Sequence, residues 1–431
     1  MSSVLSETFF SVRKSVLQGV IKVPPSKSQT LRAILFASLA KGVSTIHHYL
    51  VSPDTLAMIQ ACRLLGAKID QTATSLSIEG IDGAIGPADD VINAGNSGLV
   101  LRLIAAVGSL GDFPIVITGD QSIRHQRPMR TLLQALQQAN VCAISTKNDG
   151  FAPVIVKGPF QGGNIIVDGS DSQPVSALLI AASLARSPTT LYVQDPGEKP
   201  WVALTLKWLD RFNITYKNDN FTMFEILGSQ KFNAFDYTVP GDFSSAAFPL
   251  VAAIITNSEI TIANLDFGDH QGDKKVIDIL QKMGAQVTLS EQSVKTRKSS
   301  GLEGIEIDVN DCIDALPILA VVGCFAKGKT IIKNAQVARQ KECDRIANIT
   351  KELRKLGACI EEHKDGLTIY QSPLRGGKVD SCHDHRLGMA LVVAGLGSEG
   401  ETTISSVASI SKTFPHFFSA FRKLEANISK V

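Results

Sequence analysis

The sequence predicts an α/β protein with two globular domains, and its composition and an internal repeat lead to that prediction. Its 431 residues, 44% hydrophobic and 19% charged, are enough for two or three domains of ~150 residues with a large buried core. One pattern occurs six times: an apolar helix-like run, a polar turn, a β-branched strand, a loop and an amphipathic helix. Such alternation of helices and strands is typical of α/β proteins.

The end of the amphipathic helix in each copy sets the period of the repeat. The successive spacings between Gly66, Asn140, Asn213, Gly284 and Gly357 are 74, 73, 71 and 73 residues. Open solenoids use shorter units, of about 20–50 residues. We therefore expect each copy to form its own small α/β layer, with three copies packed around buried helices in each of the two domains.

Charge and apolar runs exclude several classes of protein. The 43 Lys and Arg residues against 41 Asp and Glu leave a net charge of +2, so neither nucleic acid nor an anionic membrane is expected as a partner. The longest near-unbroken apolar run, residues 315–326, is shorter than the ~20 residues that cross a membrane. No secretion signal is recognised at the N-terminus, so a cytoplasmic location is expected. The seven scattered cysteines form no CxxC pair, so we expect no disulfide framework. We also expect no bound metal or cofactor.

Two short matches to nucleotide-binding patterns are attributed to the repeat. GCFAKGKT at residues 323–330 matches the phosphate-loop pattern, and GLGSEG at residues 395–400 matches the dinucleotide pattern. Both patterns require a strand before the loop and a helix after it. Here an apolar helix-like run precedes each match and a β-branched strand follows it. We predict that both are helix-to-strand turns.

Basic residues concentrate where helices are expected to begin, where free N–H groups and the helix dipole favour anions. Each group alone is typical of a solvated surface or a local salt bridge, but six groups in matching positions of a repeat favour a cleft for one or two multiply anionic small molecules. The groups are Lys27, Ser28 and Arg32; Asn96, Ser97, Gly98 and Arg102; Arg127; Lys341, Glu342, Asp344 and Arg345; Asp384, His385 and Arg386; and Lys412.

Asp314 is the candidate general base. It lies at the start of the apolar run of the fifth copy. A carboxylate in that place is either a helix N-cap or, facing a basic cleft, a group that takes a proton from a hydroxyl. Spacing alone leaves both interpretations open.

Eight motifs in order along nearly the whole chain carry a family resemblance: KSxxxR at 27–32, GNSG at 95–98 followed by Arg102, RP at 127–128, DSQ at 171–173, GDFSSA at 241–246, KECDR at 341–345, DHR at 384–386 and KTFP at 412–415. Together they resemble the 5-enolpyruvylshikimate-3-phosphate (EPSP) synthase family of enolpyruvyl transferases. The resemblance implies an inside-out α/β barrel architecture with three βαβαββ units in each domain. It further implies a discontinuous first domain of residues 1–22 plus 240–431, a second domain of residues 23–239, and an active site in the cleft between them.

The resemblance also implies a reaction and its residues. Enolpyruvyl would pass from phosphoenolpyruvate to the 5-hydroxyl of shikimate 3-phosphate with release of phosphate, through a tetrahedral intermediate and without a cofactor or metal. Asp314 would be the base, and Glu342 or Lys27 would handle the proton at the methylene carbon. Shikimate 3-phosphate would contact Lys27, Ser28, Arg32, Ser172, Gln173, Asp314 and Lys341. Phosphoenolpyruvate would contact Lys27, Asn96, Gly98, Arg127, Gln173, Arg345, His385, Arg386 and Lys412. The protein is expected to be a monomer.

Some positions bear on the identity of the acceptor. Leu99 stands where the family usually has Thr, Asp171 and Glu198 where it has Ser, and Val337 where Asn is frequent, while Trp201 occupies a position that is commonly aromatic or basic. Like unit charges ~4 Å apart repel by about 4 kcal/mol at an effective dielectric constant of ~20, so two carboxylates beside an acceptor phosphate would weaken its binding. Either Lys199 or another cation compensates, or the acceptor carries no phosphate there.

Three other functions stay open at this stage. The first is enolpyruvyl transfer to a different alcohol, such as a nucleotide sugar, although those enzymes typically begin with a KN motif where this chain has Lys27 and Ser28. The second is an RNA-end cyclase, for which His416 would have to be the nucleotidylated residue. The third is an anion-binding module without catalysis, which would need no base such as Asp314.

Overall fold

The computed structural model describes residues 9–431; residues 1–8, which include part of the segment inspected for a secretion signal, lie outside the described residues. The chain divides into two compact units. Unit 1 consists of the residues up to Pro24 together with Gly241–Val431, and unit 2 is Pro25–Pro240. The sequence prediction put the two crossings near residues 22 and 240.

The strands are short, mostly three to six residues long. In chain order they are β1 (Phe10–Arg13), β2 (Gln18–Lys22), β3 (Val43–His47), β4 (Lys68–Gln71), β5 (Ser75–Glu79), β6 (Ile92–Asn93), β7 (Ile115–Thr118), β8 (Cys142–Ser145), β9 (Val154–Lys157), β10 (Gly163–Asp168), β11 (Thr189–Gln194), β12 (Tyr216–Asp219), β13 (Met223–Ile226), β14 (Asp236–Thr238), β15 (Glu259–Ala263), β16 (Gln286–Ser290), β17 (Ser293–Arg297), β18 (Glu306–Asp308), β19 (Lys329–Lys333), β20 (Cys359–His363), β21 (Gly366–Tyr370), β22 (Lys378–Asp380), β23 (Glu401–Ser405) and β24 (Ile428–Lys430).

Two kinds of helix accompany these strands. The α-helices are α1 (Lys27–Leu39), α2 (Pro53–Leu64), α3 (Gly98–Gly108), α4 (Gln121–His125), α5 (Arg130–Gln138), α6 (Ser172–Leu184), α7 (Lys199–Arg211), α8 (Phe243–Ile255), α9 (Lys275–Lys282), α10 (Leu316–Phe325), α11 (Arg345–Lys355), α12 (His385–Gly397) and α13 (Phe417–Lys423). Short 3₁₀ helices cover Gly272–Lys274, Asn310–Ala315, Gln336–Gln340 and Val407–Lys412.

The predicted repeat corresponds to six four-stranded sheets with one shared topology. The sheet orders are β14-β3-β5-β4, β6-β7-β9-β8 and β10-β11-β13-β12 in unit 2, and β2-β15-β17-β16, β18-β19-β21-β20 and β22-β23-β1-β24 in unit 1. In every sheet the first pair is parallel and the other two pairs are antiparallel. Each sheet is open, and no closed barrel of strands occurs within residues 9–431.

Two strands account for the way the chain enters and leaves the units. Strand β2 precedes the crossing into unit 2 and pairs with β15, which follows the return to unit 1. Strand β14, the last strand of unit 2, pairs with β3, near the start of that unit. The sheets of the first and fourth copies are therefore completed by distant segments of the chain, and both units hold three copies.

The apolar helix of each copy lies in the core. In unit 1 the helices α8, α10 and α12 pack against one another, and nearly all of their residues are buried. In unit 2 α3 packs against α6 in the same way. A helix that is apolar all round has no face that gains from solvent, which is why these segments lack the amphipathic pattern of α5, α9 and α11.

The residues that set the sequence period directly follow helix C-caps, at the C′ position. Gly66, Asn140, Asn213, Gly284 and Gly357 all have positive φ values and follow the second helix of their copies, as Glu425 does in the sixth copy. The next residue's N–H bonds back to the last turn of the helix in each case, for example from Ala67 to the Cys62 carbonyl. This is the Schellman arrangement, which favours Gly or Asn because a Cβ is strained there.

Residues 323–330 and 395–400 are turns between a helix and a strand, as predicted. The first match spans the end of α10 and the start of β19, and the second spans the end of α12 before β23. Neither has the order of elements that a nucleotide loop requires. Among residues 9–431, no helix is long and apolar enough to cross a membrane.

Candidate active site

The predicted site residues form two clusters, one in each unit. The unit 1 cluster consists of Asp314, Lys341, Glu342, Arg345, Asp384, His385, Arg386 and Lys412. The unit 2 cluster consists of Lys27, Ser28, Arg32, Asn96, Gly98, Arg102, Arg127, Asp171, Ser172, Gln173 and Glu198. Most members of both clusters are buried, although charged residues are seldom buried without partners.

Arg345 is the centre of the unit 1 cluster. Its guanidinium donates to Asp314 through Nη1 at 2.7 Å, to Glu342 through Nη2 at 2.8 Å and to Asp384 through Nε at 2.7 Å. Asp314 and Glu342 precede α10 and α11 of the fifth copy, and Asp384 precedes α12 of the sixth, so the packing of these three helices brings the carboxylates together. Burial alone would lower the pKa of Arg345, but Asp384, Glu342 and Asp314 outweigh it and raise that pKa well above its usual value.

Asp384 fixes the start of α12. It accepts hydrogen bonds from the backbone N–H of Arg386 at 2.7 Å and of Leu387, and it is fully buried against Arg345. Asp384 belongs to the group with His385 and Arg386 in the sequence, and no separate role was predicted for it. Its position directly before the apolar helix was the signal for an N-cap, while its second partner lies 39 residues away.

Asp314 is not the N-cap of an α-helix, which excludes one of the two interpretations that the sequence left open. It lies in the 3₁₀ helix Asn310–Ala315, and α10 begins only at Leu316 with no side-chain cap. Its two oxygens instead bond to Arg345 at 2.7 Å and to Arg386 at 3.2 Å. With its side chain 27% exposed, Asp314 is far more accessible than Glu342 at 6% or Asp384 at 0%.

Arg386 keeps donors available for a ligand. Its Nη2 bonds to Asp314, but Nε and Nη1 have no hydrogen-bond partner within the described part of the chain, although the residue is only 2% exposed. A buried donor without a partner is costly, and such groups in native proteins usually mark a place where a ligand binds. The two nitrogens are suited to a carboxylate or phosphate.

Glu342, Asp384 and His385 lie close enough together to hold a metal ion. The carboxylates already have cationic partners, however. Lys412 donates to Glu342 Oε1 at 2.8 Å, and Arg345 donates to both Glu342 and Asp384. A dication would have to compete with these two fixed cations, so the donor set fits a salt-bridge network better than a metal centre.

Asp273 is a buried carboxylate that the sequence analysis missed. It lies in the 3₁₀ helix that packs against the one carrying Asp314. Burial, followed by the neighbouring charge of Asp314, raises the pKa of Asp273 to about 7, against the opposing effect of Arg386. Nothing in the local sequence, QGDKK, distinguishes it from a surface acid.

Gly98 marks the centre of the unit 2 cluster. A Cβ placed on it would lie 3.1 Å from Arg102 Nη1, 3.6 Å from Arg127 Nη1 and 3.6 Å from Gln173 Oε1. The Ser97 hydroxyl caps α3 at this point. The absence of a side chain therefore leaves the start of α3 open to two guanidinium groups and to the start of α6, where Gln173 lies.

Arg102 belongs to this cluster, although it was not among the predicted contact residues. Its guanidinium donates to Gln173 Oε1 at 2.7 Å and to the Pro128 carbonyl at 3.0 Å, and it pairs with Asp171 at 3.3 Å. Burial lowers the pKa of Arg102, with Arg127 acting in the same direction, while Asp171 and Glu198 oppose the shift. Its location one turn into α3 was the available signal, because that turn places it beside the helix start.

Arg32 is held by α7. It donates to the Thr205 hydroxyl at 3.0 Å, to the Trp201 carbonyl at 3.3 Å and to the Ser28 carbonyl at 3.3 Å. Lys27 pairs with the buried Asp54 at 3.4 Å. The predicted i,i+4 relation between Ser28 and Arg32 is therefore present in α1, with the backbone of Ser28 as the acceptor.

The two acidic positions that differ from the family pattern are both engaged. Asp171 caps α6 by accepting from the Gln173 N–H at 3.0 Å and pairs with Arg102. Glu198 accepts from both the backbone N–H and the hydroxyl of Ser172, at 2.9 and 2.7 Å. Arg102 thus pairs with Asp171, where Lys199 was the cation expected to compensate.

Other predicted positions are less central. Asn96 donates to Asp120 at 2.6 Å. Arg127 and Pro128 precede α5, which starts at Arg130. Val337 lies half-buried in the 3₁₀ helix Gln336–Gln340. His416 is exposed before α13, and no contact of its side chain with the unit 1 cluster is observed in the described chain.

Comparison with known proteins identifies one family. The family model described as EPSP synthase (3-phosphoshikimate 1-carboxyvinyltransferase) matches residues 12–421. A 3-phosphoshikimate 1-carboxyvinyltransferase of Acetivibrio thermocellus is 45% identical over 418 residues, covering 97% of this chain and 98% of that protein. One from Methanocaldococcus jannaschii is 42% identical over 96% of this chain and 97% of that protein.

Solved structures show the same fold. The EPSP synthase of Acinetobacter baumannii superposes with a TM-score of 0.83 at 27% identity, covering 98% of this chain and all of that one. The enolpyruvyl transferase NikO of Streptomyces tendae superposes with a TM-score of 0.80 at 18% identity over 99% of both chains. The second likeness shows that the fold extends to enolpyruvyl transferases with very different sequences.

Proposed function

The chain belongs to the EPSP synthase family, and from this premise we propose how the residues of its two clusters divide the work of the reaction. The protein is a transferase of the shikimate pathway, and it transfers enolpyruvyl from phosphoenolpyruvate to the 5-hydroxyl of shikimate 3-phosphate. Its family membership argues against the RNA-end cyclase and the non-catalytic module. The individual residue roles below are proposals.

The proton transfers are assigned to Asp314 and Glu342 of the unit 1 cluster, with Lys27 of the unit 2 cluster as the alternative to Glu342. Asp314 takes the proton of the attacking 5-hydroxyl as its oxygen bonds to C2 of phosphoenolpyruvate, while Glu342 or Lys27 delivers a proton to C3. The resulting tetrahedral intermediate then loses phosphate from C2 and a proton from its methyl group, which restores the double bond. Support for Asp314 comes from its exposure and from Arg345 and Arg386, which hold its two oxygens in fixed directions.

The substrates' negative charges are held mainly by buried cations. Phosphoenolpyruvate contacts Lys27, Asn96, Gly98, Arg127, Gln173, Arg345, His385, Arg386 and Lys412. The observation that supports this assignment best is Arg386, whose Nε and Nη1 have no hydrogen-bond partner in the described chain. Arg345 differs from Arg386, because three carboxylates already occupy its guanidinium. Its main contribution is therefore to position Asp314 and Glu342.

The acceptor is held mainly at the starts of α1 and α6. It contacts Lys27, Ser28, Arg32, Ser172, Gln173, Asp314 and Lys341. Three hydrogen bonds of Arg32 go to a hydroxyl and two backbone carbonyls, which fix the direction of the guanidinium toward an acceptor anion. Preorganised donors of this kind let addition and elimination proceed without solvent having to reorganise.

The test is phosphate release from phosphoenolpyruvate by the purified protein without added metal. Shikimate 3-phosphate and unphosphorylated shikimate serve as parallel acceptors. We expect release with shikimate 3-phosphate and little with shikimate. Release with shikimate alone, or with neither acceptor, would contradict the proposed acceptor contacts. We also propose that the protein acts as a monomer, which light scattering coupled to gel filtration tests; a cytoplasmic location stays a prediction.

A further inference from the structure

The start of α6 already holds an anionic group of the protein itself. Ser172, the first residue of this 13-residue helix, donates its backbone N–H at 2.9 Å and its hydroxyl at 2.7 Å to the same oxygen, Oε2 of Glu198. The N-terminus of a helix favours negative charge, and paired donors to one carboxylate oxygen are strong. These are two of the donors that the proposed function assigns to the acceptor.

Glu198 is built into this position. It is 2% exposed, and its φ of 45° is in the left-handed region, which is rare for a residue with a side chain. Its own carbonyl accepts from the N–H of Trp201 at the start of α7. The preceding Gly197 donates to the Gly169 carbonyl at 2.9 Å, which ties the loop before α7 to the loop before α6. A strained backbone of this kind persists only where its surroundings hold it.

The surroundings of Glu198 are also charged. Asp171 and Glu198 both act electrostatically on Arg102, with Arg127 as the second cation of the group. Asp171 pairs directly with Arg102 and caps α6, so its charge is partly compensated. A phosphate placed on the Ser172 donors would meet the Glu198 carboxylate at close range, where like charges repel strongly.

We propose that Glu198 is a specificity-determining residue, an internal competitor that fills the anion position at the start of α6 and must be displaced before the phosphate of the acceptor can bind there. This inference rests on the proposed acceptor contacts of Ser172. The carboxylate lowers the affinity for a phosphorylated acceptor. It also keeps free anions away from the start of α6 when no acceptor is bound. Phosphoenolpyruvate, which the proposed function assigns to other donors, is not affected in the same way.

The experiment compares the wild type with Glu198→Gln, which keeps the size of the side chain and removes its charge. We expect the KM for shikimate 3-phosphate to fall about tenfold, while the KM for phosphoenolpyruvate and kcat change less than about twofold. Inorganic phosphate should bind more tightly to the variant in calorimetry. Glu198→Ser, a smaller side chain that also lacks the charge, should show the same shift and serves if the Gln variant unfolds.

The matched control is Glu225→Gln. Glu225 lies on β13 and forms an exposed ion pair with Lys217 of β12, so the change removes the same charge at the surface. It should leave the KM of both substrates unchanged. An unchanged or higher KM for shikimate 3-phosphate in both Glu198 variants, with normal wild-type turnover, would overturn the inference. An equal fall in KM for unphosphorylated shikimate would also overturn it, because charge competition would not be the cause. Absence of phosphate release by the wild type with either acceptor would instead count against the proposed function.

Discussion

Arg345 in the unit 1 cluster and Arg32 in the unit 2 cluster are both buried, but their hydrogen-bond partners differ. In unit 1, Arg345 is surrounded by three carboxylates at 2.7–2.8 Å. In unit 2, Arg32 is held by a hydroxyl and two backbone carbonyls. A cation bound to three acids lies among groups that exchange protons, whereas hydroxyl and carbonyl acceptors fix the direction of a guanidinium without exchanging protons themselves. We infer that the unit 1 cluster is organised for proton transfer and the unit 2 cluster for anion binding.

The largest expected effect concerns the proton-transfer side of this comparison. Asp314→Asn should lower kcat by about 10²–10⁴-fold, because the amide cannot take the hydroxyl proton. The KM of both substrates should change less than about threefold, since the side chain keeps its size. Steady-state kinetics measures both parameters. The control is Asp311→Asn, a nearby carboxylate paired with the partly exposed Lys275, which should be active. Near-normal kcat in the Asp314 variant would remove the base assignment.

The next effect is on stability and compares the two arginines directly. Arg345→Met should lower the free energy of unfolding by about 3–5 kcal/mol, because it leaves buried carboxylates without their cation. Arg32→Met removes the donor to three neutral acceptors and should cost about 1–3 kcal/mol. Urea denaturation at pH 7 measures both. Equal losses would mean that the difference in partners has no energetic consequence.

A smaller effect tests the buried acid beside Asp314. The pKa of Asp273 is raised from 3.8 to about 7, so the native state holds a proton that the unfolded state loses between these values, and stability falls as the pH rises through this window. Asp273→Asn removes this penalty. The free energy of unfolding of the variant minus that of the wild type should therefore increase by about 2 kcal/mol when the pH is raised from 5 to 8. A pH-independent difference in urea denaturation would contradict the raised pKa.

The smallest effect tests the anion-binding side. Arg32→Lys keeps the charge but loses the planar fork that three acceptors hold in place. We expect the KM for shikimate 3-phosphate to rise about tenfold, with the KM for phosphoenolpyruvate and kcat nearly unchanged. Arg186→Lys, the same change at an exposed pair with Asp112, should have no effect. A loss confined to kcat would place Arg32 on the chemical side of the comparison instead.

Much of the fold could be predicted because it depends on local signals. Periodicity identified the six copies, and the Gly and Asn residues at the end of each second helix were visible as a regular spacing before their positive φ values were known. The order of helix and strand around residues 323–330 was sufficient to reject a nucleotide loop. Of the two interpretations left open for Asp314, the N-cap does not hold, because a 3₁₀ helix precedes α10 and includes that residue.

The sequence by itself determined the repeat, the starts of the helices and the residue types gathered there, because these follow from hydrophobic period, capping and turn preferences over a few residues. Only the tertiary structure decided which side chains each charged group contacts. Arg345 and Asp384 are 39 residues apart, Arg32 and Thr205 are 173 apart, and Ser172 and Glu198 are 26 apart. Hydrogen bonds and ion pairs over such separations depend on how whole helices pack, and no local pattern specifies the partner of a buried charge. The raised pKa of Asp273 has the same origin, because burial and its neighbours, not its sequence, disfavour the ionised form.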